Sequence, residues 1–292
     1  MRRTRGIRRR TNTVRYEQDR SRKGLGVYSA VGLLVIGIAE VLMFRKVWFV
    51  ATFFTPIVWS GYILFVDSLI YMRKGESLIR TRTKEFVLML PLSIAFWLIF
   101  EFYNLFIENW HYVHLPEKLW VRWLGYGWSF ATIWPAILET GELIETTGLF
   151  GKIGRPRRIS RRGLVAFIVI GAVCLIVPII YPSRYLAAPV WVGFTFLLDP
   201  INTLRGRPSL LGDLKDGRTH TLWSLLLAGL ICGVLWEFWN YWALAKWEYT
   251  VPILGDVKLF EMPILGYLGF PAFAVEAWVM YAFVRPSNQD KR

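Results

Sequence analysis

Two stretches of the chain place an acid, an amide and two aromatic side chains at nearly the same spacing. One runs Glu101-Phe-Tyr-Asn104 and continues to Trp110-His-Tyr112; the other runs Glu237-Phe-Trp-Asn240 and continues to Trp247-Glu-Tyr249. A carboxylic acid among aromatic rings can supply a proton while the ring faces stabilise a cation and offer no competing nucleophile. An apolar pocket also keeps such an acid protonated and able to donate. Glu237 is the favoured general acid. Trp236, Trp239, Trp247 and Tyr249 surround it in sequence, and Asn240 and Asn104 lie three residues beyond their acids on the same helix face, where an amide can hold a carboxylate.

These acids lie in stretches apolar enough for a bilayer. The 292 residues are 54% hydrophobic and 16% aromatic, which is greasy for a soluble chain of this length. Apolar windows recur at 25–44, 47–72, 86–107, 123–150, 164–181, 187–204, 219–245 and 262–284, each long enough to cross about 30 Å of hydrocarbon as a helix. The expected fold is therefore an all-α integral membrane protein with about eight transmembrane helices. Gly125, Gly127, Pro135, Pro189 and Pro200 interrupt the fourth and sixth windows.

Carboxylates fall inside these windows, among them Asp67, Glu101, Glu139, Asp199, Glu237 and Glu276. Each costs about 2.5 to 3.5 kcal/mol at the centre of a lone helix facing lipid, so all should face the protein interior. Asp67 and Asp199 read as structural acids near the cytoplasmic ends of their helices, paired with or capped by Arg73 and Arg205. Glu276, Glu261 and Glu101 are the candidates for a second acid or base. Glu139 is a partner for Glu276 only if a gap is placed between the copies described next.

The chain repeats itself. Residues 58–79 match 190–211 at a constant offset of 132, which superposes Trp59 on Trp191, Gly61 on Gly193, Asp67 on Asp199 and Ser77 on Ser209. Glu101 and Asn104 match Glu237 and Asn240 at an offset of 136, and Leu-Gly-Tyr at 124–126 recurs at 265–267. The expected organisation is two parallel four-helix repeats, 25–150 and 163–285, joined by a basic linker at 151–162 and flanked by tails at 1–24 and 286–292. Because four is even, both copies run the same way through the membrane, and a cavity is expected where they meet.

The net charge of +14 follows the same plan. Basic residues cluster in 1–24, 73–84, 151–162, 205–218 and 285–292, all on one side if both termini are cytoplasmic and eight helices lie between. The Arg-rich start is read as a tail touching anionic lipid, not as a nucleic-acid arm. Cys174 and Cys232 lie within predicted helices, and His111 and His114 alone are a poor metal site, so neither a disulfide framework nor a metal is expected. No phosphate-binding loop, dinucleotide turn or nucleophile elbow occurs.

The run Trp236–Pro252 resembles the W-[DE]-x-W motif followed by W-x-Y in the membrane lycopene cyclases of the heterodimeric or fused type and in the related carotenoid hydratases; Phe100–Tyr112 resembles it more weakly. That resemblance implies a small, all-helical protein of two similar halves in which Glu237 protonates a polyene double bond, with no cofactor. The resulting cation closes a ring and loses a proton, or captures water. The family's P-x-E-E pattern is absent; Glu261 and Glu276 are the nearest acids. The resulting expectation is an inner-membrane enzyme of isoprenoid or carotenoid-like lipids. Two other classes fit the same acids: a proton-coupled transporter or lipid carrier, and a non-catalytic subunit of a membrane complex. The oligomeric state does not follow from the sequence.

Overall fold

The computed structural model describes residues 27–151 and 154–285; the basic tails expected at 1–24 and 286–292 lie outside these residues, as do two positions of the linker. Each of the eight apolar windows contains one long helix: α1 (Val27–Phe44), α3 (Phe54–Lys74), α4 (Thr83–Ile107), α5 (Leu119–Thr147), α6 (Arg161–Ile180), α7 (Ala187–Leu204), α9 (His220–Trp242) and α10 (Gly269–Val284). Two short helices, α2 (Trp48–Thr52) and α8 (Leu210–Lys215), fill connections. Among the described residues six helical segments are long and apolar enough to cross a membrane; the last of them, Ile264–Val284, joins a 3₁₀ turn to α10. The two helices outside that set are α5 and α7, those of the interrupted windows. Their lower hydropathy has a packing reason for α5, which sits between α3, α4 and α9 and buries Trp134, Ile137, Glu139 and Thr140 against protein.

The polarity of the molecule is inverted relative to a soluble domain. Asp67, Glu237 and Glu276 are completely buried, whereas Leu34, Val87, Leu105, Val169 and Val173 point outward from α1, α4 and α6. A continuous apolar exterior is what a lipid-facing helix presents. Prolines at 91, 135, 178 and 200 sit inside helices, as membrane helices tolerate.

Connections gather at two ends. At one, Leu244 N donates to Ala51 O at 3.1 Å, Asn109 Nδ2 to Arg184 O at 3.2 Å and Thr250 N to Asn109 O at 2.9 Å, which ties 45–53, 108–118, 181–186 and 243–268 together. At the other, Lys74 and Arg82 pair with Glu142, Arg285 pairs with Glu85, and Arg157 N donates to Leu214 O. Of the basic clusters expected on one side, the described residues of 73–84, 151–162 and 205–218, together with Arg285, contribute to this second end.

The same local devices recur at the repeat offset. Asp67 Oδ1 accepts from Ile79 N at 2.7 Å, and Asp199 Oδ2 accepts from Leu211 N at 2.8 Å, a donor 132 residues further on. The expected arginine partners are replaced. Asp67 also accepts from the Ser77 hydroxyl, and Asp199 from Leu210 N, because the loop after each helix turns back over its end and offers donors there; the Tyr28 hydroxyl reaches Asp67 from α1. Close crossings recur as well. Gly32 and Gly61 let α1 and α3 touch backbone to backbone, and Gly171 and Gly193 do so for α6 and α7.

One feature departs from an all-helical reading. Trp110–Val113 forms β1 and Lys246–Tyr249 forms β2, paired antiparallel at the first end, with a small two-stranded ribbon of β3 (Lys258–Leu259) and β4 (Met262–Pro263) beside them.

A Cβ added at Gly171 would stand 2.3 Å from Leu197 N, a contact only backbone movement relieves. Gly171→Val is expected to destabilise the folded protein by roughly 1 to 3 kcal/mol, read as a lower melting temperature in detergent. Gly127, with open space around it, is the control: Gly127→Ala should leave the melting temperature near that of the unaltered protein.

Candidate functional site

Helices α4 and α9 end alike. At the last turn of α4, Asn104 Oδ1 accepts from Asn109 N at 2.9 Å, and its Nδ2 donates to Trp110 O at 2.8 Å. At the last turn of α9, Asn240 Oδ1 accepts from Trp247 N at 3.0 Å, and its Nδ2 donates to Trp247 O at 2.8 Å. The amides therefore clamp the start of each strand, not the carboxylates three residues before them. The chain reverses at this point and leaves peptide groups that need partners, and a side-chain amide supplies both a donor and an acceptor.

The clamped strands pair with each other in the register Trp110 with Tyr249, His111 with Glu248 and Tyr112 with Trp247. An offset of 137 carries Trp110 to Trp247, His111 to Glu248 and Tyr112 to Tyr249. His111 thus faces its own counterpart, so a pseudo-twofold axis passes between them. Alternation along a strand then places Trp110, Tyr112, Trp247 and Tyr249 on one face.

Those tyrosines reach back to the acids. Tyr249 donates to Glu237 Oε1 at 2.8 Å, and Tyr112 donates to Glu101 Oε1 at 2.5 Å. The two pairs are dressed differently. Trp97 Nε1 at 2.8 Å and Trp110 Nε1 at 3.2 Å also converge on Glu101 Oε1. Glu237, by contrast, is completely buried and its Oε2 has no partner among the described residues, while Trp247 Nε1 donates at 2.9 Å to the Tyr249 hydroxyl. Burial, reinforced by the adjoining carboxylates, pushes both phenols well above the usual tyrosine range, so each stays protonated.

Beneath the strands lies a cavity of about 480 Å³, within the size range of single-ligand pockets, about 300 to 1,000 Å³. Both halves line it, through α3, α4, α5, α7, α9, α10 and the strand pair. Its wall is aromatic. Phe273 forms a hub, with ring centres 5.5 Å from Trp191, 5.8 Å from Trp97 and 6.2 Å from Trp236, and Trp59 lies 5.0 Å from Trp236.

The sequence-predicted residues divide accordingly. Trp236, Trp247 and Tyr249 line the cavity. Neither Glu237 nor Glu101 reaches its surface; each stands one hydroxyl behind it, since Tyr249 and Tyr112 are in the wall. Trp239 is turned away. It packs edge-on against Trp59 at 5.0 Å and donates Nε1 to Glu40 at 3.2 Å, because α1 crosses behind that face of α9. Asn104 and Asn240 are the strand clamps. Glu276 sits one turn below Phe273 and accepts from Phe194 N at 2.7 Å, a contact that fastens α10 to α7. Glu261 lies at the turn between β3 and β4, paired with Lys246. Continuing the Leu-Gly-Tyr offset of 141 sets Glu276 against Pro135 and Glu139 against Met280; Glu139 stands beside Asp67, at the other end.

Trp59, Trp97, Trp191, Tyr126 and Phe273 also line the cavity, and no motif in the sequence marks them as site residues. Trp59 and Trp191 carried one signal, their superposition at the 132 offset, and both line the cavity. Compared with known proteins, the chain matches no family model, no curated protein and no solved structure.

Replacing Asn240 by Ala removes both bonds to Trp247 and leaves that backbone without them. A loss of roughly 1 to 3 kcal/mol is expected, with faster amide exchange confined to 244–250. Amide-exchange mass spectrometry on the detergent-solubilised protein reads it out, and exchange unchanged in that segment would show that β2 is held by other contacts.

Proposed function

We propose that this protein is a multi-pass enzyme of the inner membrane, crossing it eight times as two parallel four-helix halves with both termini cytoplasmic, and that it acts on an isoprenoid lipid by proton-initiated cyclisation or hydration. One observation carries the reading: Tyr249, hydrogen-bonded to the buried Glu237 behind it, stands in the wall of a tryptophan-lined cavity shared by the two halves. The resemblance of Trp236–Pro252 to the lycopene cyclase motif supports the same chemistry.

The proton moves in two linked steps. With Glu237 protonated, the hydrogen bond of the pair runs the other way, from the carboxyl O–H to the Tyr249 oxygen, and the Tyr249 hydrogen is free to turn toward the cavity; Glu237 then passes its proton to that oxygen as the Tyr249 hydroxyl delivers its own to an alkene carbon, so one C–H bond forms and the carboxylate remains behind. Tyr249 is neutral before and after, which suits a phenol whose ionisation burial suppresses. The cation left on the substrate is held by ring faces of Trp59, Trp97, Trp236 and Phe273 and by the new charge on Glu237. In a cyclisation, a second alkene attacks the cation and a neighbouring carbon then loses a proton, so the net change is an isomerisation. In a hydration, water adds and releases the proton. Glu101, with three donors on one oxygen, is the acceptor for that proton through Tyr112. Two carboxyl–phenol pairs in unlike surroundings thus divide the acid and base roles.

Glu276, Asp67 and Asp199 take no part. Their contacts fasten helices and loops, and their neutral amide variants should retain product formation wherever the protein folds.

The test is expression in cells that make lycopene and shorter prenyl lipids, with extracted products compared between the unaltered chain, Glu237→Gln and Tyr249→Phe. Loss of the general acid or its relay is expected to lower product formation roughly 10²- to 10⁴-fold. Products that match between all three, at equal protein levels, would remove Glu237 and Tyr249 from the chemistry.

A further inference from the structure

The wall of the cavity has a charge pattern that a hydrocarbon does not need. Three cationic side chains line it, Arg122, Arg184 and Lys246, and no aspartate or glutamate does. Two of the three have acids to satisfy them. Arg184 Nη2 pairs with Glu108 at 2.8 Å, and Lys246 pairs with Glu261. Arg122 has no ion-pair partner among the described residues; its Nε donates to the Pro116 carbonyl, and its terminal nitrogens have no acid beside them. It stands in the first turn of α5, where the positive end of the helix dipole adds to its field.

A second observation is independent of charge. Trp59 is completely buried and Thr55 nearly so, both line the cavity, and neither Trp59 Nε1 nor Thr55 Oγ1 has a hydrogen-bond partner among the described residues. They lie four residues apart on α3 and so share one face. Buried polar groups in folded proteins are almost always satisfied, and two unpaired donors on the wall of one cavity point to an acceptor that arrives with the ligand. A carotene carries no such atom.

We infer that the cavity takes an amphiphile with an anionic, oxygen-bearing head on a single apolar chain. The head is a phosphate or a carboxylate. The cations gather it at the loop end of the cavity, oxygens accept from Trp59 and Thr55, and the chain lies among Trp236, Trp191 and Phe273. This rests on the reading of the cavity as the substrate site, and it alters the substrate class: the lipid is a charged precursor, not a neutral polyene. Arg122 is its specificity-determining residue, because the charge of Arg122 is left for the ligand to neutralise.

The test is binding to the full-length protein in a non-ionic detergent, followed by tryptophan fluorescence, with four probes in two matched pairs: farnesyl phosphate against farnesol, and palmitate against hexadecanol. Each anion is expected to bind at least about tenfold more tightly than its alcohol, as a charge-assisted contact implies. A preference confined to the first pair identifies a phosphate head, and one confined to the second a carboxylate; either supports the inference. Arg122→Gln should abolish the preference and Arg122→Lys should restore most of it, which separates charge from folding. Trp59→Phe should weaken anion and alcohol alike. Equal affinity within both pairs, or a preference that survives Arg122→Gln, overturns the inference and leaves the catalytic reading standing. Tight binding of farnesyl phosphate, the anion that carries alkenes to protonate, with that probe recovered unchanged after long incubation overturns the catalytic reading and leaves this one standing.

Discussion

A carboxylate in the apolar interior of a membrane protein loses its hydration, and nothing in lipid replaces it. Each such group must therefore find donors or hold a proton, and where donors are found the chain bends to bring them. Part of this molecule's irregular structure answers that demand. The loop after α3 folds back so that Ser77 and Ile79 reach Asp67, and the loop after α7 does the same for Asp199 through Leu210 and Leu211. At the other end, strands descend so that Tyr112 and Tyr249 reach Glu101 and Glu237. Helices here are simple; the loops are specified by the acids.

This ordering explains which parts of the structure were legible in the sequence. Helix positions followed from hydropathy because lipid imposes one rule on every span, and even the departures had a cause. The window at 47–72 breaks at Phe53 between α2 and α3, and that at 262–284 opens as a 3₁₀ turn before Gly269. The Glu, Asn and Trp-x-Tyr spacing was legible as a pattern, but its meaning was conformational as much as chemical. Trp-x-Tyr is the alternation of a strand, which four residues are too few to announce. The asparagines and Asp199 serve peptide groups that no spacing announces, and Asp67 takes one peptide donor beside the Tyr28 and Ser77 hydroxyls.

The cavity was legible only as an expectation of place. Trp59, Trp97 and Phe273 come from three helices spread over more than two hundred positions, and nothing local marks them as neighbours. Two halves laid side by side with bulky residues facing each other leave unfilled space. Here the halves also meet unevenly, which sets the shape of that space. Helix α9 packs directly on α5, with Cys232 against Ala136 and Thr140, whereas α4 and α10 meet through Trp97 and Phe100 against Phe273. The same departure from symmetry gives Glu101 and Glu237 their unlike surroundings, and with them the capacity for unlike roles.

The pairing of His111 with Glu248 carries a historical implication. A strand that pairs antiparallel with its own counterpart about a twofold axis is the contact a symmetric homodimer makes, with the same patch used on both sides. Joining two such subunits into one polypeptide turns a concentration-dependent encounter into an intramolecular one and frees each copy to mutate separately. The fused interface is then where divergence has most to offer, because a single change there breaks a symmetry that a homodimer must keep.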